Sequence, residues 1–336
     1  MIGRWTLLDP EIVRRPVPAN LRAGDDGLFV HEYQRRIEAA VVWDTYRVIA
    51  LPNGFLLKQG RILREGFSAP PRTVRVLKAG LRAAQHLLST RAIRVDRGLW
   101  ITDEYSNGYF HWVCDVLPRL EALGTQGCSG RTLVIPAMAD QGYVEESLEP
   151  YGLGQVQVLS WRDRAFCRQL RLVGAVAPTG NYRPELMRAL RERMRSHFGV
   201  EGGSRRIYIS RAGASFRRIA NETEILPLLE RFGFQSVRAE HLSFSEQIRV
   251  IGSASVLVSN HGAGLTHQCW MKPGTTVLEL RRAGDRIDNC YYALAGALGI
   301  TYRYQACRAV DDRLPTHAAD LVVDLRQLAA ELETVA

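Results

Sequence analysis

After Arg205 the chain alternates short apolar runs with amphipathic segments, and this pattern constrains the fold more than any other. Ile207-Tyr208-Ile209, Gln235 to Arg238, Val256-Leu257-Val258, Val277-Leu278 with Leu280, and Tyr302 to Ala306 read as strands, with helical patterns between them. Such spacing predicts a parallel sheet covered on both faces, because a parallel crossover needs a helix's length of chain to return to the same edge. Helix starts are marked as well. Ser243-Phe244-Ser245-Glu246 is a capping box, and Asn221-Glu222-Thr223-Glu224 is a variant with Asn221 as cap and Glu224 reaching back. Ligands of parallel sheets sit beyond the carboxyl ends of strands. Arg211, His261 and Glu279 each fall at or near such an end.

The centre of this region, Ser255 to Arg281, reads strand, Gly-rich turn, short helix, turn, strand. Gly262-Ala263-Gly264 between a strand end and a helix start can aim backbone N–H groups at an anion, which predicts a phosphate site. A tight turn needing glycine only for its dihedrals explains the same residues. His261 before the glycines and Glu279 on the next strand favour the site.

Upstream, Val41 to Ile49 and Gly54 to Leu63 read as strands around a Pro52-Asn53-Gly54 turn, and Val74 to Leu88 as strand then helix. Leu99 to Thr102 is a strand, Asp103 to Gly108 a polar turn, and Tyr109 to Leu120 a helix that Pro118 kinks or restarts. His111 and Asp115, four apart, share a helix face. An imidazole beside a carboxylate can accept a proton; a core histidine satisfied by an aspartate is the alternative. Thr132 to Pro136, Val144 to Tyr151 and Val156 to Leu159 form a β-α-β pattern, and Phe166 to Val176 adds strand. Pro178 to Asn181 is a linker. Pro184 opens an amphipathic helix through Phe198 with Leu186, Leu190 and Met194 at helical spacing, and Arg188, Arg191, Arg193 and Arg195 read as its solvated face.

The 336 residues, 46% hydrophobic, suggest two domains. Six cysteines without a C-x-x-C pair argue against zinc and for free thiols in a reducing compartment. No apolar run is long enough to span a bilayer, and the N-terminus lacks the order of a signal peptide, so a cytoplasmic location is expected. The net charge of +9 is almost all arginine, with lysine only at Lys58, Lys78 and Lys272. A compositional bias of the genome explains that skew. The charge also leaves room for a phosphorylated substrate or peripheral attachment to the inner face of a membrane. Nucleic acid is the weakest of these partners, for want of an RNP motif, zinc finger or basic tail.

Several motifs together are similar to those of glycosyltransferase family 61, often labelled capsular polysaccharide biosynthesis proteins in bacteria. They are Asn107-Gly108-Tyr109-Phe110-His111-Trp112 through Asp115-Val116-Leu117-Pro118-Arg119, then Tyr208-Ile209-Ser210-Arg211, then Arg217-Arg218-Ile219-Ala220-Asn221-Glu222, and His261-Gly262-Ala263-Gly264-Leu265 with Pro273-Gly274 and Glu279. Their order and spacing agree from Asn107 to Arg281; the first hundred and last fifty residues carry no part of the resemblance.

The resemblance implies an α/β, GT-B-like architecture of two Rossmann-like domains facing across a cleft. The expected division is 1–180 as the acceptor side, 181–318 as the nucleotide-sugar side, and 319–336 as a C-terminal helix packing back on the N-terminal domain. It implies inverting, metal-independent transfer of a sugar from a nucleotide sugar, expected to be UDP-linked, to a glycan or lipid-linked glycan in surface polysaccharide assembly. No resident cofactor is expected, and no Asp-x-Asp metal motif is present.

In such a displacement a base takes the acceptor proton and the diphosphate must be stabilised, without a metal by arginines and backbone N–H groups. By family position Arg211 and Arg217 are the candidates, with Arg218 as substitute for the latter. Gly262, Ala263 and Gly264 offer N–H groups beside His261. Glu279 is read as accepting from ribose hydroxyls, or else as a solvated strand-end charge. Asp115 is the candidate base with His111 orienting it, or the reverse. His267 reads as packing. Two other functions compete: a nucleotide-binding protein of this fold without chemistry, and a basic membrane-surface adaptor. The intact His111/Asp115 pair speaks against the first, and arginines spread along the whole chain against the second.

Overall fold

A computed structural model of the protein describes residues 3–68, 91–138 and 142–335. The strand and helix expected over Val74 to Leu88 lie outside the described residues. The chain forms two compact units, one of Met1–Glu11 with Arg36–Thr179, the other of Ile12–Arg35 with Gly180–Ala336. The break after Thr179 falls inside the Pro178 to Asn181 linker.

The first unit is built on β1 (Gly3–Leu8), β4 (Ala40–Ala50), β5 (Leu56–Lys58), β6 (Arg61–Ile62), β7 (Arg91–Trp100), β8 (Thr132–Ile135), β9 (Gln155–Val158) and β10 (Asp163–Val173). The order is β6-β5-β4-β10-β7-β8-β9, with β1 also on β4. Strands β10, β7, β8 and β9 are mutually parallel. β4 runs antiparallel to β10, β1 and β5. The sheet is therefore mixed, and the expected Rossmann-like character holds only for its parallel half. The reason is chain length: β4, β5 and β6 follow one another through tight turns, and a turn of a few residues reverses the chain. Val48, Val95, Trp100, Val134 and Leu170 close the core.

The ribbon of β2 (Glu11–Arg14) and β3 (Gln34–Ile37) brackets the N-terminal excursion that belongs to the second unit. That unit's sheet contains β11 (Arg205–Ile209), β12 (Phe234–Val237), β13 (Ala254–Asn260), β14 (Thr276–Arg282), β15 (Thr301–Ala309) and β16 (Leu321–Val322), in the order β12-β11-β13-β14-β15-β16. The first five strands are parallel and β16 is antiparallel. The chain thus runs outward from β11 on both sides, which makes the crevice between the carboxyl ends of β11 and β13 the topological switch point.

Three local expectations fail for tertiary reasons. The arginines of helix Pro184–His197 are only in part a solvated face: Arg188 is exposed, but Arg191 and Arg195 are buried. Arg188 donates to the Ala297 carbonyl (3.1 Å) and Arg191 to that of Leu298 (2.8 Å), at the end of helix Cys290–Leu298. Arg195 donates to the carbonyls of Gly252 (2.6 Å) and Trp270 (2.5 Å), at the ends of two further helices. These guanidiniums satisfy orphan carbonyls where the helix dipoles favour cations. Asn221 makes no side-chain cap; its amide instead exchanges two hydrogen bonds with the backbone of Val323 (2.9 and 3.0 Å). The Ser243 capping box forms as expected. The last helix, Leu325–Glu333, buries Leu328 and Leu332 with Ile225, Leu229 and Val258 in the second unit's core. Its apolar stripe meets the stripe of helix Glu222–Arg231, so the separate 319–336 segment is part of the second unit. The cysteines are free thiols. Among the described residues no helix is long and apolar enough to cross a membrane.

Candidate active site

In the first unit, β7 delivers the chain to the polar turn Asp103 to Gly108. The turn is anchored from below. Buried Arg119 donates to the Ile101 carbonyl (2.7 Å) and pairs with the Asp103 carboxylate, whose other oxygen accepts from Ser106 (3.1 Å) and the Tyr105 N–H (3.0 Å). The helix that follows opens with Tyr109–His111, widens into a π-helical turn over Trp112–Val116, and continues as Leu117–Cys128. Pro118 has no N–H, and its ring would press on the carbonyl four residues back. The wide turn, in which the Leu117 N–H reaches the Trp112 carbonyl, relieves that clash. Pro118 thus shapes the turn carrying Asp115.

His111 Nδ1 lies 2.8 Å from Asp115 Oδ2, and Thr179 donates to the same oxygen at 3.1 Å. The Asp115 side chain is 9% exposed and that of His111 27%. The Tyr105 ring stacks on the imidazole at 5.2 Å. A carboxylate on Nδ1 holds the proton there and leaves the Nε2 lone pair as the basic position. The sequence pattern predicts this pair; Thr179, sixty-four residues on, gives no sequence signal.

The second cluster lies at the switch point. Arg211 follows β11 and lies against Gly262, whose backbone follows β13: a Cβ at Gly262 would sit 3.0 Å from Arg211 Nη1 and 3.1 Å from Cζ. Gly264 is needed for a different contact, since a Cβ there would meet Ile209 at 2.9 Å and Ser259 Oγ at 3.1 Å. The short helix Ala263–Trp270 is 3₁₀, and its first internal bond is from the Leu265 N–H to the Gly262 carbonyl (2.9 Å). The N–H groups of Ala263 and Gly264 are thus left without a partner inside the helix.

Arg211 makes one long hydrogen bond, to the Phe216 carbonyl (3.5 Å), and its Nε is buried without a partner. Burial and then the neighbouring Arg217 charge push its pKa down, against smaller opposing effects of Tyr291 and Glu240. Arg217 also carries a buried unpartnered Nε. It has a left-handed backbone (φ +55°), held by a hydrogen bond from the Asn260 amide to its carbonyl. Strained non-glycine backbone of this kind collects at ligand sites. Arg218 is committed elsewhere, gripping Asp320 through Nε (3.2 Å), Nη2 (3.0 Å) and its backbone N–H (2.8 Å). Of the two arginines, Arg217 is the one beside Arg211.

Glu279 is neither solvated nor open to a ribose. It is fully buried. One oxygen meets Nδ1 of His261, and the other accepts from the Tyr302 hydroxyl at 2.6 Å. Burial pushes its carboxyl pKa up, but His261, Arg281 and the Tyr302 hydroxyl outweigh this and hold it below its ordinary value. The ligand-facing role assigned to Glu279 is corrected: its register on the inner strand β14 points it at His261, which is itself nearly buried. His267 is buried in the core, its pKa pushed down to about 3 by burial. Sequence reasoning misses Tyr302, because only the β14–β15 pairing brings it to Glu279, and it misses Arg281, two residues along the same strand, because nothing local shows that both are buried.

A family model described as Glycosyltransferase 61 matches residues 109–278. Among curated proteins, the chain is similar to the EGF domain-specific O-linked N-acetylglucosamine transferase of Drosophila melanogaster, 35% identical over 99 residues (29% of this chain, 18% of the relative). The Bos taurus protein of that name is 29% identical over 136 residues (39% and 25%). Protein O-linked-mannose beta-1,4-N-acetylglucosaminyltransferase 2 of Tetraodon nigroviridis is 30% identical over 168 residues (48% and 28%). The matched regions cover less than a third of each relative's length.

Proposed function

Since this chain belongs to the glycosyltransferase 61 family, we propose that it transfers a sugar from a nucleotide-sugar donor to a hydroxyl of a glycan or lipid-linked glycan, with inversion and without a metal ion. The observation carrying this reading is the pair Arg211 and Arg217 at the switch point, neither bonded to a carboxylate, with Arg211 against Gly262. Two adjacent cations with buried unpaired donors match a diphosphate, which carries charge enough for both and pairs of oxygens that their planar forks can grip. The N–H groups of Ala263 and Gly264 add donors.

In the reaction the acceptor oxygen forms its bond to the anomeric carbon as the bond to the diphosphate breaks. The geometry favours His111 as the base: its Nε2 takes the acceptor proton while Asp115, ionised and held by Thr179, stabilises the imidazolium that forms. Arg211 and Arg217 stabilise the charge that grows on the leaving diphosphate. The GT-B arrangement expected from the resemblance, the surface-polysaccharide setting and work at the inner face of a membrane belong to the same proposal. The relatives' names make N-acetylglucosamine the first sugar to try and a protein hydroxyl the competing acceptor.

A thermal-shift panel of UDP-, GDP- and dTDP-sugars tests the donor, because a bound ligand raises apparent stability by mass action. Turnover of the donor so found is expected to persist in EDTA. Loss of turnover with rescue by Mn²⁺ would remove the metal-free reading, and a panel without any shift would remove the donor site.

A further inference from the structure

Behind the Gly-rich loop lies a buried hydrogen-bond chain that the mechanism above leaves without a role. Arg281 is 1% exposed and donates through Nη1 to Asn289 Oδ1 (2.9 Å) and the Tyr302 hydroxyl (3.2 Å), and through Nη2 to the Asp285 carbonyl (2.8 Å). Its guanidinium also lies over the Phe29 ring at 5.0 Å. Tyr302 contacts Glu279 Oε2 at 2.6 Å, and Glu279 Oε1 contacts His261 Nδ1.

The direction of every bond in this chain is fixed by donor count. Arginine has only donors. The Tyr302 oxygen therefore accepts from Arg281, and its single proton goes to Glu279. Burial, first, and the Glu279 charge, second, keep that phenol protonated. Glu279 then accepts on one oxygen from Tyr302. With Arg281 near and its carboxyl held below its ordinary value, it is ionised and accepts on the other. Nδ1 of His261 must be the donor. Through this chain an arginine and a tyrosine dictate which nitrogen of a histidine carries its proton, as carboxylate partners do for metal-bound histidines.

We infer that Tyr302 and Glu279 are positioning residues which hold the proton on Nδ1 of His261 and so reserve its Nε2 for the diphosphate of the donor. The inference rests on the diphosphate reading of the adjoining loop. His261 immediately precedes Gly262, which Arg211 covers, and Tyr291, whose ring lies 5.0 Å from the imidazole, also acts on the Arg211 charge. Donating from Nε2 as the imidazolium, the ring would be a third cationic donor beside Arg211 and Arg217, with the buried Glu279 carboxylate behind it. Among the described residues Glu279 is the carboxylate bonded to the ring, and the Tyr291 ring packs edge-on against it at 5.0 Å.

Two measurements test it. Nitrogen-15 shifts of the His261 ring in the full chain, assigned by subtraction with His261→Gln, should show Nδ1 protonated without ligand; a neutral ring protonated on Nε2 would overturn the inference with no variant of the relay needed. The second is a double-mutant cycle on nucleoside diphosphate affinity, measured by calorimetry with UDP, or with whichever nucleoside diphosphate the donor panel selects. Glu279→Gln and Tyr302→Phe should each weaken binding in the native background and leave it unchanged beside His261→Gln, since both act only through that ring. A merely structural role would weaken binding equally in both backgrounds. Equal losses in both backgrounds, or no loss in either folded variant, overturn the relay, whereas failure of the wild type to bind any nucleoside diphosphate overturns the diphosphate reading instead.

Discussion

Replacing Arg211 by alanine separates binding from folding. In the native protein this side chain makes one hydrogen bond of 3.5 Å and packs its guanidinium on Gly262. Burial and the charge of Arg217 both act against its cation, the condition of a residue held ready for an anion and not for the fold. Alanine therefore removes little native stabilisation and relieves a like-charge contact, so Tm should stay level or rise, in the manner of sites that trade stability for function. Binding should suffer. A hydrogen bond to a charged group contributes ~1.5–3 kcal/mol, which is roughly 13- to 160-fold in the Kd of the nucleoside diphosphate. Arg218→Ala supplies the control. It breaks an ion pair with Asp320, but the Arg218 side chain is 51% exposed, and exposed pairs contribute about 0–1 kcal/mol to stability. Its Kd should not change. Calorimetric titration of both variants, with melting curves of the free proteins, gives all four numbers. An unchanged Kd for Arg211→Ala, or an equal loss for Arg218→Ala, would refute the assignment of Arg211 and Arg217 to the anion.

Asp115→Asn and His111→Ala should each lower kcat by about 10²- to 10⁴-fold, the usual share of general base catalysis, while nucleoside diphosphate affinity holds; stopped assays at saturating donor read the first and calorimetry the second, and full activity in either variant removes that residue from the reaction. Gly264→Ala puts a methyl group 2.9 Å from Ile209 and should destabilise by ~1–3 kcal/mol, the cost of overpacking, seen as a lower denaturant midpoint with unchanged slope. Asn221→Ala leaves the Val323 N–H and carbonyl without their partners and should cost about 1–3 kcal/mol, with Tm falling ~2–4 °C for each; an unchanged Tm would mean that water replaces the amide.

Much of the second unit is legible in its sequence, because its strands are short apolar runs and its helices are capped or striped, and both are local properties. The Ser243 box forms, and the strand ends carry Arg211 and His261 where the periodicity places them. The His111 and Asp115 pair is legible for the same reason: four residues on one helix face is a local distance, and the π-helical turn preserves it. Legibility fails where a side chain's partner is remote. A run of arginines on an amphipathic helix looks solvated until the ends of three other helices arrive to use Arg188, Arg191 and Arg195. Asn221 looks like a cap until Val323, about a hundred residues on, offers both halves of a peptide group. In the first unit the turn at Pro52-Asn53-Gly54 is legible and makes an antiparallel pair, and the sheet is mixed where the resemblance implied a Rossmann-like one.

The sequence by itself determined the elements, the glycine turn after β13 and the candidate base, since each follows from spacing within a dozen residues. Tertiary structure alone decided what the charged groups do. It set Arg217 beside Arg211 and gave Arg218 to Asp320, by the fold of one loop and a strand a hundred residues later. It also turned Glu279 from a strand-end charge into the buried partner of His261. An ionised group is specified by whatever neutralises it, and in a parallel sheet those partners come from different crossovers, which no local pattern records.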